Sequence, residues 1–174
     1  DCFLVQTKDC VSEKELFGRH YPYYSSFSNY WLDHAKNLSK KCIDSFKLDD
    51  SNSIIEIASN DGYLLKNFIK KNIPVLGIEP SSGPANISKR EGIELLIEFF
   101  TLNLAKKKLQ RRKADLVFAI NVLAHVPDVI DFLKGISLIL KPKGTAIIEF
   151  QYLVDLIKKK QFDTMYHEHF SYFS

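Results

Sequence analysis

The sequence predicts an α/β fold with a mostly parallel, twisted sheet and helices on both faces. Between residues 53 and 150, short apolar runs rich in β-branched residues alternate with longer segments of helical periodicity. The first of these runs stops abruptly at a tight turn, residues 59–62, and apolar residues at helical spacing follow it. With 174 residues, 45% of them hydrophobic, the chain can bury one main core.

The alternation gives each predicted element a range. Strands are predicted at 53–58, 74–79, 94–98, 115–120 and 144–150, and helices at 26–46, 62–71, 84–91, 102–112 and 128–140. Pro127 and Asp128 are typical of a helix start, and a turn at 141–144 ends that helix. Breakers at 81–84 predict a late start for the helix before the third strand. Regular alternation implies right-handed crossovers and therefore a parallel sheet.

Composition and charge argue against several classes of function. A formal net charge of +3, with lysine and arginine clusters that form solvated helix faces, does not favour a nucleic-acid partner. The sequence has no apolar run of about 18 residues, so no membrane-spanning helix is predicted. Three cysteines, Cys2, Cys10 and Cys42, make no disulfide framework and favour a reducing cytoplasm.

The domain organisation is predicted from the same patterns. We expect residues 1–24 to be an N-terminal segment left from a further module, because they show little periodicity. Residues 25–160 form the main domain, and residues 161–174 begin a further region.

The turn after the first predicted strand indicates a ligand site. It has one glycine, and it lacks the glycine patterns of phosphate loops and of dinucleotide-binding folds. Asn60 and Asp61 tolerate left-handed backbone angles, so the chain can bend sharply there. Glu56 and Asp61 place negative charge near the turn, which favours a cationic or hydroxyl-bearing ligand such as S-adenosylmethionine over a pyrophosphate. We therefore expect cofactor contacts from Glu56, Ala58, Ser59, Asn60, Asp61 and Gly62.

Two further predicted strands end in polar residues at the same edge of the sheet. Glu79, followed by Pro80, is placed to accept hydrogen bonds from both hydroxyls of a ribose; the alternative is an exposed helix-capping glutamate. Asn121 follows the fourth strand and is predicted to contact the methionine part of the cofactor. His125 lies near the mouth of this crevice, where a functional role is favoured over a structural one.

The stretch 162–174 concentrates titratable side chains. Tyr166, Glu168 and His169 together can supply a proton donor, an orienting carboxylate and a proton acceptor. Three interpretations compete: general acid–base catalysis, a metal site built on His167 and His169, and a surface loop. The first is preferred, because no further cysteine or histidine has matching metal-ligand spacing and because a surface loop of this composition is unusual.

The chain closely resembles the C-methyltransferases that act on nucleotide-linked 4-keto deoxysugars, through the segments EIASNDGYLL, GIEP, NVLAHVPD, GTAIIEF and FDTMYHEHFSYFS. This resemblance covers nearly the whole chain and implies a Rossmann-like class I methyltransferase fold. The family also has a zinc module of four cysteines before the methyltransferase domain and a further domain after it. By resemblance, Cys2 is the last zinc ligand of a module whose other cysteines are missing, so zinc is expected only where that module is complete. The chain is therefore expected to be truncated at both ends.

The resemblance implies methyl transfer from S-adenosylmethionine to the carbon beside the keto group of the sugar, through an enolate. It assigns the base to His169, with Glu168 and Tyr166 orienting this histidine or holding the substrate. It assigns His125 to the enolate oxygen or to a shared proton relay.

Two questions stay open at the level of sequence. Tyr21 and Tyr23 either line the sugar pocket or pack against the first helix. The alternative functions are an O- or N-methyltransferase acting on a small metabolite and a non-catalytic Rossmann-like binding domain. Binding of S-adenosylhomocysteine, together with proton exchange at carbon, separates these alternatives from carbon methylation.

Overall fold

The computed structural model describes residues 4–8, 11–18 and 21–174. Its strands are β1 (Val5–Gln6), β2 (Ile54–Ile57), β3 (Val75–Ile78), β4 (Glu94–Leu96), β5 (Ala114–Ile120), β6 (Leu140–Glu149) and β7 (Ser171–Tyr172). Its α-helices are α1 (Glu13–Leu16), α2 (Asn29–Phe46), α3 (Lys66–Ile69), α4 (Ser82–Arg90), α5 (Leu102–Leu104), α6 (Val129–Ile139) and α7 (Leu153–Lys158). A π-helical turn, Ala105–Leu109, continues α5, and short 3₁₀ helices lie at Ser25–Phe27, Leu123–His125 and Phe162–Thr164. No helix within these described ranges is both long and apolar enough to cross a membrane.

Five of these strands form one parallel sheet in the order β4-β3-β2-β5-β6. Strand β2 lies at its centre, with Glu56 opposite Gly77 of β3 on one side and Phe118 of β5 on the other. The chain builds from β2 outward to β4 and then returns to the other side of β2 for β5 and β6. A reversal of this kind opens a crevice at the carboxyl ends of the strands. The predicted α/β class with a parallel sheet is confirmed.

Apolar layers cover both faces of this sheet. Ile55 and Ile57 of β2 belong to a buried cluster that includes residues of α5 and α6. Ile54 belongs to a second buried cluster, which includes residues of α2 and α3. Successive residues of a strand point to opposite faces, and a strand buried on both faces is a continuous apolar run. The apolar runs in the sequence follow from this double burial.

The helix predicted at 62–71 is much shorter in the structure, where α3 spans only Lys66–Ile69. The side-chain amide of Asn67 donates hydrogen bonds to the carbonyls of Tyr63 (3.2 Å) and Leu64 (3.1 Å). These bonds compete with regular helical hydrogen bonding, so the residues before α3 form turns. The predicted length was wrong, because apolar spacing reports burial and not the backbone hydrogen bonds.

Two other predicted boundaries also move. Helix α4 begins at Ser82, earlier than predicted, because Pro84 lies in the first turn, where an amide has no intrahelical partner to lose. Strand β6 begins at Leu140 instead of residue 144. Its pairing with β5 is irregular at this end, so the turn predicted at 141–144 is a bulge within the strand.

The described N-terminal segment pairs with the C-terminal stretch. Strand β1 is antiparallel to β7, with Gln6 opposite Ser171. The amide of Phe170 donates to the carbonyl of Ala124 at 2.7 Å, which attaches the same stretch to the 3₁₀ helix that carries His125. Segments at the two ends of the sequence therefore meet beside the carboxyl edge of the sheet. The predicted division into three segments stays a prediction.

Candidate active site

A cavity of about 780 Å³ opens at the carboxyl ends of the central strands. Its volume suits a cofactor-sized ligand. Most of the predicted site residues line it: Tyr21, Tyr23, Ala58, Asn60, Glu79, Pro80, Asn121, His125, Tyr166, Glu168 and His169. Four others are buried and do not line it: Glu56, Ser59, Asp61 and Gly62. Sequence reasoning thus identified the wall of the cavity together with residues that support it from below.

Three cavity residues each follow directly on a strand of the central sheet. Ala58 follows β2, Glu79 follows β3 and Asn121 follows β5. Ala58 and Asn121 both have left-handed backbone angles, with φ values of 57° and 52°. Asparagine adopts this conformation readily, whereas for alanine it costs on the order of 1 kcal/mol. Both strands therefore bend sharply at the switch point.

The turn after β2 bends where the sequence predicts, with one difference. Asn60 has the expected left-handed conformation (φ 49°), and so does Gly62 (φ 81°), but Asp61 is not among the positive-φ residues. Ala58 takes the additional left-handed position instead. The positive φ of Gly62 favours glycine at this position, and a Cβ atom there would also overlap the side chains of Ile93 and Ser88.

The side chains of Asn60 and Asp61 hold the segment that precedes α2. Oδ1 of Asn60 accepts a hydrogen bond from the amide of Ser25 (2.9 Å), and its Nδ2 donates to the carbonyl of Tyr23 (3.2 Å). Oδ2 of Asp61 accepts from the amide of Ser26 (3.0 Å). Asp61 therefore caps the 3₁₀ helix Ser25–Phe27. The turn positions Tyr23 and its neighbours at the cavity wall.

Glu56 is completely buried behind the cavity wall. Neither of its carboxylate oxygens has a hydrogen-bond partner within the part of the chain that the structure describes. Burial raises the pKa of Glu56 well above its ordinary value; Tyr63 lowers it in part, while Glu79 and Asp61 raise it further. Because burial favours the protonated form, the turn carries less negative charge than the sequence suggested.

Glu79 retains capacity to bind a ligand. It is 4% exposed, and its two oxygens accept hydrogen bonds from the amides of Ser81 (2.7 Å) and Asn60 (2.9 Å). Burial raises the pKa of Glu79, and these two hydrogen bonds oppose the rise. A carboxylate has about four lone-pair sites, so two sites are left for a ligand in the cavity. A pair of ribose hydroxyls matches this arrangement.

His125 and His169 form a pair of rings whose centroids are 4.7 Å apart. Nδ1 of His125 lies 2.8 Å from the carbonyl of Glu168, and Nδ1 of His169 lies 2.8 Å from the carbonyl of Thr164. A carbonyl can only accept, so in each neutral ring the proton is assigned to Nδ1 and the lone pair to Nε2. Both rings therefore present a proton acceptor.

Burial favours the neutral form of both histidines. Burial lowers the pKa of His125 to about 4. The hydrogen bond to the carbonyl of Glu168 raises this pKa in part, and the charge of a protonated His169 lowers it further. Burial also lowers the pKa of His169. A neutral His125 with its proton on Nδ1 has none on Nε2 to donate, so this tautomer suits a relay and not the stabilisation of an enolate oxygen.

Tyrosines supply the proton donors of the cavity. The Tyr166 ring lies 4.2 Å from the His169 ring, and Tyr21 lies near Tyr23 at 6.3 Å between ring centroids. Burial is the main cause that raises the pKa values of Tyr21 and Tyr166, so both hydroxyls keep their protons at neutral pH. Tyr21 and Tyr23 line the cavity, and their contact with a sugar stays a prediction.

The cavity wall also includes aromatic residues that were not identified as site residues from the sequence, among them Phe17, Trp31 and Tyr63. Phe17 contacts His125 edge-on, with ring centroids 5.1 Å apart. Trp31 of α2 lies near Tyr63, which follows the turn, at 6.0 Å between ring centroids. Tyr63 directly follows Gly62, so its position beside the turn could have predicted from the sequence that it lies at the site. Phe17 belongs to a segment without periodicity and gave no such signal.

No metal site is present among the residues that the structure describes. Within the described ranges, no three histidine, cysteine or acidic side chains are arranged to hold an ion. The predicted zinc ligand Cys2 lies outside those ranges, and Cys42 is a buried free thiol. Of the two histidines of the metal interpretation, His167 is exposed whereas His169 is buried.

The fold and the cavity together define a Rossmann-like domain with a crevice at its switch point. The sequence matches the family described as "Methyltransferase domain" over residues 18–174, and the chain belongs to that family. It is 34% identical over 174 residues to C-methyltransferase NovU of Streptomyces niveus, a match covering 99% of this chain and 41% of NovU.

Two other similarities are more distant. The ubiquinone biosynthesis O-methyltransferase of Rhodopseudomonas palustris (strain BisA53) is 31% identical over 97 residues, covering 55% of this chain and 38% of that enzyme. A SAM-dependent methyltransferase from Thermotoga maritima, possibly a histamine N-methyltransferase, superposes with a TM-score of 0.59 at 19% identity, covering 81% of this chain and 63% of that one. At this identity the superposition shows the fold alone. The chain spans about two fifths of the length of these curated relatives.

S-adenosylmethionine is the cofactor of this fold family, and solved structures of similar fold hold it or its product S-adenosylhomocysteine. The residues of the cavity fit this molecule. Glu79 has free lone pairs for ribose hydroxyls, and Asn121 offers an amide at the bend after β5. The lining includes acidic side chains and aromatic rings, which suit a sulfonium cation.

Proposed function

We propose that the protein containing this chain methylates the carbon beside the keto group of a nucleotide-linked deoxysugar, with S-adenosylmethionine as donor and an enolate as intermediate. The main support is that one cavity is lined both by Ala58 and Asn60, at the bend after β2, and by the pair His125 and His169. The similarity to NovU supports methylation of carbon. The sugar and its nucleotide are proposed from the resemblance of the sequence motifs.

The chain supplies a base suited to this reaction. His169 is neutral at pH 7 with its lone pair on Nε2, so it can take the proton from the carbon beside the ketone. The electron pair of that C–H bond moves toward the ketone oxygen and gives the enolate. His125, with its own lone pair and a ring centroid 4.7 Å away, can then accept the proton from His169.

Proton donors for the enolate oxygen come from tyrosine. Tyr21 and Tyr166 line the cavity with hydroxyls that stay protonated. One fixed donor aimed at a developing oxyanion is worth about 3 kcal/mol. When bound, S-adenosylmethionine supplies a methyl group on a sulfonium, a good leaving group for attack by the enolate carbon.

The test is hydrogen exchange at carbon with the full-length protein. A 4-keto sugar nucleotide is incubated in heavy water with the enzyme and S-adenosylhomocysteine, and deuterium at the adjacent carbon is followed by mass spectrometry. We expect exchange with the wild type and none above background with His169→Asn. A wild type that methylates its substrate on oxygen or nitrogen and catalyses no exchange would contradict carbon methylation.

The second candidate is an O-methyltransferase acting on a small metabolite. The similarity to ubiquinone biosynthesis O-methyltransferases favours it, and a neutral histidine could equally deprotonate a hydroxyl. Calorimetric titration with S-adenosylhomocysteine separates both enzymes from a non-catalytic domain. We expect saturable binding; no heat at millimolar ligand would exclude the cofactor-dependent functions.

A further inference from the structure

The peptide group between His169 and Phe170 is held at both of its polar ends. Its carbonyl, on His169, accepts a hydrogen bond from Oγ1 of Thr7 at 2.8 Å. Its amide, on Phe170, donates to the carbonyl of Ala124 at 2.7 Å. Thr7 lies more than 160 residues away along the chain, and Ala124 directly precedes His125. The backbone beside His169 is therefore fixed between the N-terminal segment and the 3₁₀ helix of the second histidine.

Thr7 makes a second contact with the same stretch. Its amide donates to the carbonyl of Phe170 at 3.1 Å, so its hydroxyl and its amide serve two consecutive carbonyls. The pairing of β1 with β7 continues these contacts, with Gln6 opposite Ser171. Phe170 and His169 are buried, and a buried carbonyl that loses its donor is costly. Removing the Thr7 hydroxyl would therefore favour a rotation of this peptide group.

We propose that Thr7 is a positioning residue for His169: its hydroxyl holds the peptide group that sets where the imidazole lies in the cavity. This rests on the function proposed above, in which His169 is the base. The hydrogen bond from the His169 ring to the carbonyl of Thr164 lies within one local stretch, so it orients the ring without fixing the stretch to the sheet. Thr7 and Ala124 fix the peptide group directly beside His169, while the His125 ring and Leu153 hold the stretch further along, at Glu168 and Phe173.

Position matters because a base acts only within hydrogen-bonding reach of the proton it removes. A misplacement of about 1 Å can lower a rate on the order of 100-fold, while cofactor binding on the other side of the cavity is untouched. Thr7 does not line the cavity, so its loss acts on the reaction only through His169.

The test compares three variants of the full-length protein. Thr7→Val keeps the shape and the β-branching but removes the hydroxyl, and Thr7→Ser keeps the hydroxyl. Gln6→Met is the matched control, because its exposed side chain makes only a long 3.4 Å contact with Ser171. We expect Thr7→Val to lower kcat tenfold or more with an unchanged KM for S-adenosylmethionine, and Thr7→Ser and Gln6→Met to stay within twofold of wild type.

A pH profile separates positioning from a general loss of structure. The groups that face the His169 ring are His125, Tyr166, Glu168 and Tyr172, and none of them changes in these variants. Burial lowers the pKa of His169, so a ring released toward water titrates at higher pH. The acidic limb of kcat/KM should move to higher pH in Thr7→Val and return in Thr7→Ser.

A readout without substrate tests the proposal independently of the function. In the wild type, His169 is 1% exposed and should react slowly with diethyl pyrocarbonate, as measured by mass spectrometry of its peptide. We expect at least fivefold faster modification in Thr7→Val and wild-type rates in Gln6→Met. Wild-type modification, kcat and pH profile in Thr7→Val would overturn the role of Thr7, whereas an inactive wild type with faster modification in Thr7→Val would overturn only the proposed reaction.

Discussion

His125 and His169 acquire their chemistry from the backbone groups that surround them. Each ring gives its Nδ1 proton to a carbonyl in the stretch 162–170, and burial keeps each ring neutral. In a neutral imidazole whose Nδ1 carries the proton, Nε2 has a free lone pair and can accept a proton. The stretch that carries His169 therefore also fixes the tautomer of His125.

The lowered pKa of His125 predicts how stability depends on pH. The pKa of His125 is about 4 in the folded state and about 6.5 in the unfolded state. Between these two pH values, His125 is therefore protonated only in the unfolded state. The free energy of unfolding should be flat above pH 6.5 in this respect and fall by up to about 3 kcal/mol as pH drops toward 4. Urea titrations of wild type and His125→Gln across this range measure the effect.

The difference between wild type and His125→Gln in the pH dependence of the unfolding free energy measures the contribution of His125. His125→Gln should lose this part of the acid sensitivity, while His167→Gln, which changes an exposed ring, should follow the wild type. Equal acid sensitivity in His125→Gln and wild type would contradict a buried, neutral His125.

Glu79 predicts a separate effect on the cofactor. The Glu79 carboxylate accepts hydrogen bonds from two backbone amides. Glu79→Gln removes its charge and turns a side-chain NH₂ group toward one of these N–H donors. Hydrogen bonds to charged groups are worth about 1.5–3 kcal/mol, so we expect S-adenosylhomocysteine to bind about 10 to 100 times more weakly by calorimetry. Glu91→Gln, at the exposed end of α4, is the control and should bind normally. Wild-type affinity in Glu79→Gln would remove Glu79 from the ribose site.

At the scale of elements, the turn after β2 depends on close packing as well as on backbone conformation. Gly62 and Gly92 share a φ of 81°, but a Cβ on Gly62 would overlap the side chains of Ile93 and Ser88, whereas a Cβ on Gly92 meets nothing within 4 Å. The pair therefore separates conformational strain from steric overlap within one protein.

Alanine substitutions at these two glycines should differ in cost. Both pay about 1 kcal/mol for the left-handed backbone, and Gly62→Ala adds about 1–3 kcal/mol for overpacking. We expect Gly62→Ala to lower the free energy of unfolding by about 2–4 kcal/mol and Gly92→Ala by about 1 kcal/mol, measured by urea denaturation. Equal losses would mean that the contacts with Ile93 and Ser88 do not constrain the turn.

Most elements followed from the sequence because strand and helix periodicities are local. The runs at 53–58 and 115–120 are strands in the structure within a residue or so of their predicted ends. Helix α3 is shorter than predicted, and the side chain of Asn67 adds hydrogen bonds to the carbonyls of Tyr63 and Leu64 just before it. Periodicity does not report individual hydrogen bonds of this kind.

At the scale of the whole molecule, strand order explains why the predicted site residues gather. The carboxyl ends of parallel strands lie at one edge, so residues that follow β2, β3 and β5 meet although they are far apart in sequence. What sequence could not supply was the partner of the stretch 162–174. Its contacts include Thr7, Ala124, His125 and Leu153, and no pattern in the sequence pairs these positions with the stretch.

The proposed reaction requires His169 to act as the base in the cavity that would also bind the methyl donor. The most direct measurement is the turnover of full-length His169→Asn, with S-adenosylhomocysteine affinity measured on the same preparation and His167→Asn as the control two residues away. We predict that His169→Asn loses at least about 100-fold in kcat and keeps its cofactor affinity within about twofold. The kcat of His167→Asn should not show this loss. Turnover of His169→Asn at the wild-type rate would contradict the assignment of His169 as the base.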